Sequence, residues 1–148
     1  MDVNQLYTDI ILEYNNDKTN KREISCPTIS EHGHNANCGD DIKLQVVLKD
    51  GVIADIAYTG NGCAISQAST AMLIELLGGK TVEEEAMRLT RLFLDMILGK
   101  VNDEGQLEEL EAAAYLKNIA KMPVRVKCAV LAWHTLAIAL EKELAKKK

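Results

Sequence analysis

The chain has 148 residues, 47% hydrophobic and 26% charged. That is the size and balance of one folded domain, here taken as residues 1–148, and it excludes a disordered tail, a collagen-like fibre or a low-complexity array. Seventeen basic residues against 22 acidic ones give a net charge of −5. The one basic run, Lys146-Lys147-Lys148, sits where a helix end welcomes positive charge, so nucleic acid is not an expected partner. No uncharged apolar run approaches the roughly 20 residues of a membrane span. Met1 to Glu13 also lacks the basic start, apolar stretch and cleavage site of a secretory signal. No membrane partner is expected, and cytoplasm is the expected compartment.

From Asp2 to Tyr14, the spacing of Val3, Leu6, Tyr7, Ile10, Ile11 and Tyr14 predicts a helix with one apolar face. Asn15 to Arg22 is polar and reads as a loop. Glu23 to Asn37, interrupted by Pro27 and Gly33, reads as an irregular strand at best. Asp41 to Leu48 is rich in β-formers, Asp50-Gly51 supplies a two-residue turn, and Val52 to Thr59 completes a hairpin. Gly60-Asn61-Gly62 breaks the second strand. Cys63 opens a run of small and apolar residues to Leu77, stopped by Gly78-Gly79. Thr81 with Glu84 three positions on has the pattern of a capping box, opening a helix to about Leu98. A short helix is expected over Leu107 to Ile119. After Pro123 a long helix runs from Val124 to Lys146, with Val130, Leu131, Ala137 and Ile138 as its expected core stripe. The fold class is α+β: a small antiparallel sheet of about three strands with helices on one face.

Chemistry-bearing residues collect at the ends of the hairpin. Cys38-Gly39-Asp40 precedes its first strand and Cys63 follows its second. An antiparallel pair sets the start of one strand beside the end of the next, so Cys38, Asp40 and Cys63 should converge at one end of the sheet. Gly39, Gly60 and Gly62 allow the loops unusual backbone angles. Cys63 also falls at a helix start, where the dipole favours a thiolate. If the start of the last helix packs over the same end, Cys128 joins them. Three thiolates and a carboxylate make a tetrahedral set suited to zinc, and thiolate-rich sites also suit iron–sulfur clusters. Against this stands the frequency with which a free cysteine merely fills space. Cys26, without a Gly or acidic neighbour, reads as a bystander. His32 and His34, in the loop before Cys38, are candidate metal ligands or solvated side chains. His134 falls on another face of the last helix and reads as structural. Lys127 and Arg125 lie near the Cys128 end, where positive charge stabilises a thiolate.

The motifs Asn35-Ala36-Asn37-Cys38-Gly39-Asp40, Gly60-Asn61-Gly62-Cys63-Ala64-Ile65-Ser66 and Pro123-Val124-Arg125-Val126-Lys127-Cys128-Ala129 resemble the IscU/NifU-like iron–sulfur cluster assembly family, in order and over nearly the whole chain. Two features resemble its SufU branch. The connection from Gly99 to Met122 is long, and Lys127 stands where IscU-type scaffolds carry a histidine. Ala36 departs from the family's usual proline. The resemblance implies a NifU N-terminal-domain-like α+β fold and a zinc site of Cys38, Asp40, Cys63 and Cys128. It further implies a zinc-dependent sulfurtransferase taking persulfide sulfur from a SufS-type cysteine desulfurase. Cys38 would be the acceptor thiolate, freed when the desulfurase competes for the zinc, and Arg125 would orient the partner or steady the thiolate. Downstream iron–sulfur assembly proteins are the implied receivers. Two other readings stand beside this one. In the first, the same ligands carry a labile [2Fe–2S] cluster or iron, as on an IscU-like scaffold. In the second, a purely structural zinc staples a binding module.

Overall fold

A computed structural model of the chain describes residues 3–35 and 39–146, with side chains described from residue 8 onward. Ala36, Asn37 and Cys38 fall outside the described residues. In chain order the elements are α1 (Val3–Asn16), β1 (Ile29–Asn35), β2 (Asp40–Lys49), β3 (Val52–Asn61), α2 (Ala64–Leu77), α3 (Met87–Ile97), α4 (Glu104–Leu107) and α5 (Pro123–Ala145). A single wide π-type turn, Val82–Ala86, leads into α3, and a 3-10 segment, Glu108–Lys121, leads into α5.

The strands form an antiparallel sheet in the order β1-β2-β3. Asp50 and Gly51 join β2 to β3 with φ of 54° and 77°, the left-handed pair that a two-residue hairpin turn requires. The register sets Asn35 opposite Asp40 and Asp41 opposite Asn61. The end of β1, the start of β2 and the end of β3 therefore lie at one edge of the sheet, the arrangement expected from the sequence.

One face of the sheet is the core. Ile42, Leu44 and Val46 alternate inward from β2 and meet Ile56 and Tyr58 of β3, all at most 3% exposed. Helices α2 and α5 pack on this face. Helix α2 is apolar nearly all round and buried from Ser66 to Leu77 with few exceptions, as befits a helix enclosed on every side. A Cβ on Gly33 of β1 would stand 2.1 Å from Thr135 Oγ1 of α5, so its bare backbone is what lets that helix lie close to the strand. At the centre, Trp133 of α5 stacks on Phe93 of α3, with ring centroids 3.9 Å apart. By length and composition α5 is apolar enough to cross a membrane; here that character is spent on packing against the sheet, α2 and α3.

The outer face carries the polar segment after α1 as a strap. It pairs with the edge of β3, where Arg22 N–H donates to Tyr58 O at 3.0 Å, and Thr28 N–H donates to Val46 O at 2.8 Å on its way into β1. The Gln45 side chain accepts from Ile24 N–H at 2.8 Å beneath it. The expected irregular strand over Glu23 to Asn37 is thus part of this strap followed by a regular strand from Ile29.

Three local expectations need correction. Thr81 is capped by Glu85 and not by Glu84: the Glu85 carboxylate accepts from both Thr81 N–H and its hydroxyl at 3.2 Å. The opening turn is π-wide, with Ala86 N–H bonded to Thr81 O at 2.8 Å, so the reciprocal partner slips one residue along the chain. The expected core stripe of α5 holds only in part: Val130 and Leu131 are half-buried against the core, whereas Ile138 is 49% exposed. The buried row is Ala129, Ala132, Trp133, Leu136 and Leu140, because the bulky Trp133 turns its own side of the helix inward. The segment from Leu107 to Ile119 is helical as expected, but in two pieces, the end of α4 and the 3-10 run, with a break at Glu111 (φ 52°, ψ −128°). Beyond that break its buried residues, Ala113, Leu116 and Ile119, recur every third position. Only a helix of three residues per turn keeps such a row on one face.

Candidate metal centre

Three elements deliver the site: the start of β2 carries Asp40, the turn after β3 carries Cys63, and the early turns of α5 carry Cys128. A carboxylate oxygen of Asp40 and the two sulfurs all lie within 4.8 Å of one another, the one such group of Cys, His, Asp and Glu among the described residues. A tetrahedral ion with bonds of about 2.0–2.3 Å needs donors roughly 3.3–3.8 Å apart. Small side-chain movements bring this set to that spacing.

Asp40 is fully buried. Its Oδ1 accepts from Cys63 N–H at 2.8 Å, tying the start of β2 to the start of α2. Its Oδ2 is equally enclosed and has no hydrogen-bond partner among the described residues. An orphaned buried carboxylate oxygen is costly, and a cation shared with two sulfurs is a chemically apt partner for it. The residues present fit a zinc-class ion.

Cys63 is the N-cap of α2, and its sulfur accepts from Ser66 N–H at 3.4 Å. The sulfur thus sits at the positive end of the helix. Gly62 makes the approach possible: a Cβ there would stand 2.9 Å from Asp40 Oδ1 and 3.0 Å from Ser66 Oγ. Gly39 and Gly60 have φ of 69° and 111°; Gly39 supplies a backbone angle, while Gly60 supplies both an angle and space, since a Cβ there would stand 2.0 Å from Asp41 O.

Cys128 is 4% exposed. Asn35, the last residue of β1, points inward and donates from Nδ2 towards its sulfur at 4.0 Å. A small polar relay sets the height of α5 against α2. Trp133 Nε1 donates to Ser69 Oγ at 2.9 Å, and Ser69 Oγ donates to Ala129 O at 2.6 Å, one residue beyond Cys128. Asn35 and Ser69 were not among the residues singled out from sequence. The period-two pattern of β1 could have pointed Asn35 inward; nothing local marks Ser69.

Cys63 and Cys128 open onto a cleft of about 430 Å³ between α1 and the starts of α2 and α5. Ile11, Leu12, Ile65 and Val124 wall it, and the exposed Arg125 supplies its cation. Lys127 is exposed beside Cys128. Cys26 is exposed and stands outside the group. His32 and His34 are on β1 rather than in a loop, and the pleat turns both away from the core. They lie on the outer face of the sheet and do not converge with Asp40, Cys63 and Cys128. His134 is exposed on α5 and also stands apart.

Residues 6–148 match the family described as the NifU-like N terminal domain. The chain belongs to this family. Among relatives, the NifU-like chain is 38% identical over 143 residues to an iron–sulfur cluster assembly scaffold protein IscU from Thermotoga maritima, with 93% of this chain and 94% of that one covered. It is 34% identical over 144 residues to the zinc-dependent sulfurtransferase SufU of Bacillus subtilis, with 97% and 92% covered. A crystal structure of a SUF-system iron–sulfur cluster assembly scaffold protein, FiSufU, from Fervidobacterium islandicum AW-1 superposes with a TM-score of 0.85 at 37% identity. That match covers 92% of this chain and 97% of that one. The α+β class and the place of the NifU-like chain near SufU and IscU proteins follow from these likenesses.

Proposed function

We propose that this chain is an iron–sulfur cluster assembly protein acting as a zinc-dependent sulfurtransferase. The observation that carries the reading is the fully buried Asp40 carboxylate, with one oxygen unpartnered among the described residues and an oxygen within 4.8 Å of the sulfurs of Cys63 and Cys128. The name and coverage of the Bacillus subtilis relative support it. So do the long connection before α5 and Lys127 at the position where IscU-type scaffolds have a histidine. Asp40, Cys63 and Cys128 hold the ion, and Cys38, two residues before Asp40 in the chain, completes the set. Zinc, when bound, keeps its sulfur ligands as thiolates at neutral pH.

The chain's own residues do the rest. The Cys38 thiolate attacks the outer sulfur of a persulfide on a cysteine desulfurase of the SufS type. The persulfide S–S bond breaks, the desulfurase cysteine leaves as a thiolate, and the sulfur with its proton stays on Cys38 as a new persulfide. Arg125, exposed at the cleft, draws the anionic partner and steadies the leaving charge. The work belongs in the cytoplasm, with downstream iron–sulfur assembly proteins as sulfur receivers.

A scaffold role, building a [2Fe–2S] cluster on the same ligands, is favoured by one observation: the scaffold relative from Thermotoga maritima is similar over as much of the chain. Metal analysis of protein purified without added metal, with desulfurase turnover measured for wild type and Cys38→Ala, separates the two. Near one zinc per chain, with stimulation lost in the variant, supports the relay. Iron with acid-labile sulfide and no zinc supports the scaffold.

A further inference from the structure

The pleat that turns Asn35 and Asp40 towards the thiolates turns their neighbours to the opposite face. Along β1, His32 and His34 are exposed while Gly33 and Asn35 are buried. Residues two apart on a strand share a face, with Cα atoms about 6.5–7 Å from each other. On β2, Asp41 follows the buried Asp40 and points outward; it sits directly opposite His34 in the register. Asp41 Oδ1 is already bonded to His32 Nε2. Two imidazoles and a carboxylate thus crowd one patch at the same end of the sheet as the thiolates, separated from them by the thickness of the backbone.

We propose that His32, His34 and Asp41 form a second divalent-cation site, of the imidazole–carboxylate kind. Two ring nitrogens with one carboxylate suit zinc, cobalt, nickel or copper and are a poor match for magnesium or calcium. Only Asp40, Cys63 and Cys128 have ligand atoms within 4.8 Å of one another among the described residues, so His34 joins by a rotamer change. Its exposed ring makes such changes in picoseconds to nanoseconds. Lys43, opposite His32 on the same face, is drawn aside by Glu23 at 3.0 Å and leaves the patch without a competing ammonium bonded to Asp41. With no thiolate and open to water, the patch binds more weakly than the buried trio.

The test uses tag-free, metal-free full chain titrated with Co²⁺, read by ultraviolet–visible absorption and by equilibrium dialysis. The thiolate site gives sulfur-to-cobalt charge-transfer absorption; the outer patch gives a bound equivalent without it. We expect that second equivalent in the wild type, its loss in His32→Gln/His34→Gln, and an unchanged charge-transfer band and melting midpoint in that variant. A wild type with no thiolate-free equivalent, or a double variant that keeps it, overturns the proposal. Missing charge-transfer absorption in the wild type counts against the thiolate centre alone and leaves the outer site standing.

Discussion

Replacing Asp40 by Asn should move stability in opposite directions depending on whether metal is present. In the metal-free chain the carboxylate is fully buried, with one oxygen bonded to Cys63 N–H at 2.8 Å and the other unpartnered among the described residues. Burying an ionised group costs several kcal/mol, and a charged acceptor returns about 1.5–3 kcal/mol through its hydrogen bond. Asparagine keeps an acceptor for Cys63, gives up about 1 kcal/mol of hydrogen-bond strength and removes the buried charge. The net expectation is a gain of about 1–3 kcal/mol without metal. With zinc the balance reverses. A thousandfold weaker hold on the ion removes about 4.1 kcal/mol of ligand-linked stability at saturation, more than the gain. Urea unfolding of wild type and Asp40→Asn, in chelator and in excess zinc, measures both terms. Equal destabilisation in the two buffers would refute the reasoning and leave Asp40 as a structural hydrogen-bonding residue only.

Ser69→Ala should cost about 2 kcal/mol, because Trp133 Nε1 and Ala129 O lose their shared buried partner. The same change should weaken zinc retention against a chelator by loosening Cys128; a cost below about 0.5 kcal/mol on denaturation would count against the relay. Glu111→Gly should raise stability by about 1 kcal/mol, since a non-glycine residue at φ 52° and ψ −128° is strained. Glu111→Ala should not, and equal midpoints for the two variants would remove strain as the cause. Tyr14 is held above the ordinary tyrosine pKa by burial first, then by its hydrogen bond to Glu75 and the charges of Glu75, Glu13 and Glu111. The folded state keeps a proton that the unfolded chain releases above about pH 10. This contribution is therefore complete below that pH and is lost as pH rises. Tyr14→Phe should flatten the alkaline decline of the urea midpoint, and an unchanged slope would show that Tyr14 is not its source.

The hairpin was legible because its signal is local: Asp50-Gly51 between two β-rich runs leaves few alternatives. The convergence of Asp40 with Cys63 followed from antiparallel topology, and Cys128 needed only that α5 start over the same edge. What sequence could not deliver depended on tertiary choices. Which side of α5 faces inward was decided by Trp133 stacking on Phe93, a contact forty residues apart in the chain. The histidines of β1 were read as loop residues because Pro27 and Gly33 masked a strand that is regular from Ile29. Gly33 is there to admit α5, not to end the strand. The slip from Glu84 to Glu85 reflects one extra residue in a turn, which no capping pattern encodes.

The threefold row of Ala113, Leu116 and Ile119, beyond the break at Glu111, constrains how the connection before α5 can change in length. Removing one residue from a helix of three residues per turn rotates everything beyond it by about 120°. Part of the row would then face water, and α5, with Cys128 on its early turns, would be pulled out of register with the sheet edge. Removing three residues restores the row and shortens the span by about 6 Å. Length variation in this segment should therefore be tolerated in steps of three, and a library of single, double and triple deletions would recover folded protein mainly from the triples.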